Sequence, residues 1–179
     1  MGTKCKFKNG KQVFSSDAQM LSGGTISTNQ QIVSSTTETV LVSETIYGNT
    51  FDATTMGFRV TLAGEISANA GSDITLTLRY GTTDILALAT VTLAAEDDKQ
   101  FKYECLGRIH TTGATGKIVA SSRIDIEQGT PLMFAADTAA AGVTANLTAD
   151  GSLNVTGHWD ASNANSDIIA MIGFIEFFN

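Results

Sequence analysis

The chain has 179 residues, enough for one domain with an arm, and a core of that size needs neither disulfide nor metal to close. Hydrophobic residues make up 42% but charged residues only 16%, against roughly 25% charged in ordinary soluble domains. The net charge of -7 argues against duplex nucleic acid as a direct partner, because phosphate binding needs lysines and arginines.

The charge is unevenly placed. Residues 1–35 hold Lys4, Lys6, Lys8 and Lys11 against one acid, Asp17, while the rest of the chain carries 7 basic and 17 acidic residues. Cys5-Lys6-Phe7-Lys8, then Asn9-Gly10, then Lys11-Gln12-Val13-Phe14 reads as a small hairpin, since Asn-Gly suits a two-residue turn in which both residues take positive φ. From Ser15 to Ser35 the chain is polar and has too little apolar content to fold alone. Residues 1–35 are therefore expected to form a basic arm or linker, with residues 36–179 as the folded domain. The lysines near the start are not followed by the apolar run of a secretion signal, and no stretch is apolar enough to span a membrane as a helix. The expected setting is the reducing interior of a host cell, or a particle assembled there. Cys5 and Cys105 are expected to stay unpaired, Cys105 as a small buried hydrophobe.

Strands follow one another from residue 39. Thr39 to Ile46 carries Val40 and Val42; Phe58, Val60 and Leu62 alternate with Arg59 and Thr61; Ile74, Leu76 and Leu78 alternate with Thr75, Thr77 and Arg79. Ile85 to Leu93 is almost continuously apolar, and Phe101, Tyr103 and Cys105 alternate with Lys102 and Glu104. Ile118 to Ala120, then Ile124 and Ile126, continue the pattern. Asp137 to Thr148 reads as a long loop, because Gly142, Val143 and Thr144 oppose a helix in an otherwise Ala-rich stretch. Leu153, Val155, Gly157 and Trp159 then alternate with Asn154, Thr156 and His158. About eight strands with period-2 patterning and Gly- or Asp-marked turns give an all-β fold, a two-sheet antiparallel sandwich. A jelly roll is the first choice and an immunoglobulin-like sandwich the second, the chain having a Trp but no Cys-Trp-Cys spacing.

The last strand, Ile168 to Phe178, is apolar in both alternating sets. A strand with one face in water should be apolar on one face only. A second copy of the chain is the expected cover, which makes Ile169, Met171, Ile172, Phe174, Ile175 and Phe177 the expected oligomer interface. Glu176, inside this apolar strand, needs an arginine partner or an exposed strand end.

Chemistry is sparse. His110 and His158 are far apart in sequence, and His158 with Asp160 on one strand face is a common coincidence. Glu96-Asp97-Asp98 reads as a solvated turn lacking the EF-hand pattern. No nucleophile elbow, phosphate loop or dinucleotide fingerprint occurs. The expectation is a non-enzymatic protein with no catalytic residues, no cofactor and no metal, binding neither nucleic acid nor membrane.

Thr37-Glu38-Thr39-Val40-Leu41-Val42-Ser43, Gly57-Phe58-Arg59-Val60-Thr61-Leu62-Ala63-Gly64, Ile74-Thr75-Leu76-Thr77-Leu78-Arg79-Tyr80-Gly81 and Asn154-Val155-Thr156-Gly157-His158-Trp159, with the apolar final strand, resemble virion structural proteins of tailed bacteriophages. The likeness lies in style and strand order over residues 36–179. It implies a jelly-roll head decoration (cement) protein, a homotrimer on the capsid surface that contacts the major capsid protein and stiffens the lattice. Lys4, Lys6, Phe7, Lys8 and Lys11 are the residues of the arm expected to touch the capsid. The alternative is a fibre or spike module that binds a cell-surface glycan through loops 137–150 and 161–167.

Overall fold

The computed structural model describes residues 6–8, 11–13, 21–25, 30–93, 95–127, 132–163 and 165–178. Among them every regular element is a strand: β1 (Lys6–Lys8), β2 (Lys11–Val13), β3 (Leu21–Thr25), β4 (Gln30–Val33), β5 (Thr39–Ile46), β6 (Gly57–Ala68), β7 (Asp73–Tyr80), β8 (Thr83–Thr92), β9 (Glu96–Thr111), β10 (Gly116–Ile126), β11 (Leu132–Asp137), β12 (Val143–Ala145), β13 (Gly151–Trp159) and β14 (Asp167–Phe178). β1 and β2 pair as a separate two-stranded sheet, and β3 to β14 form an antiparallel sandwich. The small sheet runs β5-β13-β7-β8, and the large one runs β11-β10-β9-β6-β14-β3, with β4 also on β14 and β12 also on β10.

The connectivity is that of a jelly roll. β4 pairs with Asp167–Ala170 and β3 with Phe174–Phe177, so the two lie end to end on the same side of β14. If β3 and β4 count together as the first strand, the large sheet carries the first, eighth, third and sixth strands (β3/β4, β14, β6, β9). The small sheet then carries the second, seventh, fourth and fifth (β5, β13, β7, β8). That interleaving is the double Greek key. β10, β11 and β12 are an insertion between the sixth and seventh strands that widens the large sheet.

Two expectations change here. The sandwich starts inside the stretch read as an arm, because Ile32 is 1% exposed and the Trp159 indole N–H donates to its carbonyl at 3.3 Å. One buried isoleucine in a polar run leaves little period-2 signal. The stretch read as a loop after Asp137 contains β12, which is only three residues long. β11 adds a strand before that stretch, and the Pro131 that precedes it lies outside the described residues. In the N-terminal stretch, β1 and β2 pair with Lys8 opposite Lys11, and the Asn9-Gly10 expected to turn between them lies outside the described residues.

The core lies between the sheets. Trp159, Tyr103, Phe51, Phe58 and Phe177 are its largest fully buried side chains. Phe51 holds one end together, with ring centroids 5.9 to 6.3 Å from Phe177, Tyr80 and Phe58. Such tilted pairs add about 0.5–1.5 kcal/mol each beyond the area they bury.

One irregularity governs the large sheet. Ala170 pairs with Gly64 and Ile172 with Ala63, so Met171 is an extra residue in β14. A bulge shifts the alternation by one. Before it, Ile168 and Ala170 point into the core; after it, Gly173, Ile175 and Phe177 do. Ile172 is 58% exposed, and Met171 is exposed beside it. The two apolar sets of the last strand are thus partly one set whose phase changes. Ile175 and Phe177, expected at the oligomer interface, are core residues of the single chain, at 0% and 1% exposure.

Gly64 makes the bulge possible: a Cβ there would meet the Ile169 carbonyl oxygen at 1.9 Å. Gly64→Ala is expected to cost about 3 kcal/mol, the overpacking range, read as a lower urea midpoint at unchanged slope.

Candidate functional site: the outer face of the large sheet

The register places five rows of side chains across the outer face. From β14 to β10 they are Ile169, Glu65 and Gln100; Ile172, Ala63, Lys102 and Asp125; Phe174, Thr61, Glu104 and Arg123; Glu176, Arg59, Leu106 and Ser121; and Phe178, Gly57, Arg108 and Val119. Apolar and charged groups are mixed in two patches. Met171, Ile172 and the half-buried Ile169 and Phe174 form one patch on β14. Leu106, 52% exposed, forms the other with Phe178 and Val119.

The second patch is a groove of about 440 Å³ lined by Leu106, Arg108, Val119, Asp137, Thr138 and Phe178. Phe178 can lie against the sheet there because position 57 is glycine. A Cβ at Gly57 would sit 2.5 Å from the Phe178 ring. A second hollow of about 420 Å³ adjoins it over Arg59, Glu104, Ser121 and Arg123.

The charges on this face are largely paired within the chain. Arg59 Nη1 lies 3.8 Å from Glu176 Oε2, so the odd carboxylate of the last strand has its arginine one strand away in the same subunit. Glu104 takes Lys102 Nζ at 3.0 Å and Arg123 Nη2 at 3.2 Å, and Arg123 Nε reaches Asp125 at 3.5 Å. The Lys102 hydrogen bond, with the Lys102 and Arg123 charges, holds the Glu104 carboxyl below its ordinary range. These pairs are solvated and contribute little to folding. Their importance is that the face is nearly neutral and can be covered without stranding many unpaired charges.

The expected interface residues therefore divide. Met171 and Ile172 are exposed here, Ile169 and Phe174 are half-buried here, and Ile175 and Phe177 point the other way. Of the arm residues, Lys6, Phe7, Lys8 and Lys11 stand on the paired strands β1 and β2, and Lys4 lies outside the described residues. Leu106, Val119 and Phe178 were not singled out in the sequence. The pattern shows that Leu106 opposes the inward set of Phe101, Tyr103 and Cys105, but it cannot show that three strands bring it beside Phe178.

The other sequence candidates are dispersed. His110 is exposed on β9, and His158 is half-buried on the small sheet. Asp160 Oδ1 accepts the Asp73 backbone N–H at 2.9 Å. Glu96, Asp97 and Asp98 begin β9 rather than forming a turn, and the Asp98 N–H donates to Ser67 Oγ at 3.0 Å. Among the described residues no three His, Cys, Asp or Glu side chains converge as metal ligands.

Beneath the outer face, Cys105 is free and buried, and burial pushes its thiol up to about 12. Burial also raises the Tyr103 phenol well above its ordinary value, and the Tyr80 phenol to a lesser degree with help from Asp150. A group whose pKa rises on folding gives stability that is complete below its unfolded pKa and lost as pH climbs towards the folded one. Stability is thus expected to fall as pH rises above about 9, where the unfolded chain sheds protons that the core retains. In urea titrations at pH 8 and pH 11, wild type should lose roughly 2–3 kcal/mol more than Cys105→Ala. Equal losses would show that the thiol is not protected by the core.

Scans against protein-family models and against curated proteins find no match. Among solved structures the chain is similar to the CBM2 module of an evolved Dit of Lactobacillus casei BL23 phage J-1. The two share 15% identity with a TM-score of 0.37, over 77% of this chain and 69% of that one. Agreement at that level leaves the jelly-roll assignment resting on the strand order itself, and it transfers no ligand.

Proposed function

We propose that the chain is a non-enzymatic structural subunit of a tailed-phage virion, a decoration protein that sits on the capsid and stiffens its lattice. The observation that carries this reading is the outer face of the large sheet. Ile172, Leu106 and Met171 are exposed there beside Ile169, Phe174 and Phe178, on a surface whose charges are mostly paired in place. The face across β10, β9, β6 and β14 spans on the order of 600 Å², close to the ~800 Å² per partner of a standard interface. On the lattice this face is covered by neighbouring copies. A closed three-fold ring, the state expected from the sequence, needs it to meet a different surface of the next copy. Lys4, Lys6, Lys8 and Lys11, with Phe7, supply the capsid contact, as the positive end of an otherwise acidic chain. Small gains per subunit add up because many copies bind one shell.

A glycan-binding fibre module is the second reading. Tyr47, 41% exposed, is the aromatic platform that favours it. Its loop is tied to loop 137–150 by Gly48 N–H donating to Asp150 Oδ1 at 2.7 Å and Asn49 N–H to the Leu147 carbonyl at 2.9 Å.

Co-sedimentation with undecorated capsids of the encoding phage tests the first reading. Wild type is expected to bind. Ile172→Asp and a quadruple Lys→Glu change at positions 4, 6, 8 and 11 should each weaken binding about tenfold or more, the loss expected when a charge is buried at an interface or an attraction is reversed. No wild-type binding, together with a glycan-array signal lost in Tyr47→Ala, would transfer the assignment to the fibre reading.

A further inference from the structure

The four sheet edges are not protected alike. β3 and β4 meet opposite the Met171 bulge, β3 contains Gly23-Gly24, and its register with β14 shifts between Phe174 and Glu176. β5 shifts register against β13, carries Glu44 and lies against β3, β4 and β14. β8 shifts register twice against β7 and lies against β10 and β11. Bulges, glycines, charges and covering strands are the usual ways of blunting an edge.

β11 is the least blunted of the four: β8 packs against it and its one charge, Asp137, stands at its end, but its ladder is unbroken. It pairs with β10 through six consecutive partners, from Ile126 opposite Leu132 to Ser121 opposite Asp137, without a shift. Leu132-Met133-Phe134-Ala135-Ala136 carries no charge, proline or glycine. Ala135 and Asp137 are exposed, and among the described residues no strand pairs with the far edge.

We propose that β11 pairs antiparallel with β11 of a second copy, joining two large sheets into one. The strand is complementary to itself. Centred on Ala135, the pairing sets Asp137 opposite the partner copy's Met133, never opposite its Asp137. No like charges therefore meet, and uncharged residues lie opposite one another over the middle of the ladder. The two-fold axis stands perpendicular to the sheet, so both outer faces remain on one side of the dimer and stay free for the lattice. The contact does not depend on the decoration reading.

Light scattering over a concentration series, with hydrogen exchange of segment 132–137 read by mass spectrometry, tests this on the full chain. Wild type is expected to give twice the chain mass, its 132–137 amides exchanging about tenfold slower in concentrated than in dilute solution. Ala135→Lys, a charge placed on the exposed edge, should give a monomer with an unchanged circular dichroism spectrum, and Ile172→Asp should leave the dimer intact. A monomeric wild type, a three-copy mass, or exchange in 132–137 that does not change with concentration would overturn the proposal. The exchange experiment needs no variant, so a misfolded Ala135→Lys would not blunt the test. Capsid binding is a separate readout, which keeps the two proposals distinguishable.

Discussion

The extra residue at Met171, where β14 runs one position longer than β6, sets the character of both faces of the large sheet. Without it, the side chains that line up with Ile168 and Ala170 would be Ile172 and Phe174, and the core would receive them instead of Ile175 and Phe177. The cluster of Phe51 with Phe58, Tyr80 and Phe177 exists because the phase changes. Phe177 alone, fully buried, contributes about 3 kcal/mol of transfer free energy. The change is permitted by a residue on the neighbouring strand, because only glycine at position 64 leaves room for the Ile169 carbonyl.

The same bulge explains how an apolar outer face coexists with a filled core. A continuous alternation would have supplied one apolar face and one polar one. The phase change lets the strand serve the core at both ends while leaving Met171, Ile172 and Phe174 outside. Folding does not require an exposed isoleucine at position 172. An exposed isoleucine of this kind marks a candidate interaction surface, and the neutral, cross-paired charges around it would reduce the penalty of covering it.

The sandwich was legible in the sequence because its inner strands are long and cleanly alternating. Thr39–Ile46 is bounded as expected, and Phe58-Val60-Leu62, Ile74-Leu76-Leu78 and Phe101-Tyr103-Cys105 all point inward. The first jelly-roll strand is hidden because it is held by backbone pairing to β14, and within β4 by the one buried side chain of Ile32, neither of which leaves a periodic signal. β12 is too short to show a period. The last strand is visibly apolar on both faces in sequence, but the pattern does not show that a bulge turns Ile175 and Phe177 inward. A bulge depends on the neighbouring strand, and a single segment does not display its neighbour. Leu106 and Phe178 meet for the same reason, through pairing across β9, β6 and β14.

The phase change is tested most directly by comparing Ile172→Ala with Ile175→Ala in urea unfolding of dilute protein. With the bulge at Met171, Ile175→Ala should cost about 2–5 kcal/mol as a core cavity and Ile172→Ala less than about 1 kcal/mol. The reverse order, a large loss at position 172 and a small one at 175, would mean that the strand alternates without a break, and the assignment of core and outer face would be contradicted.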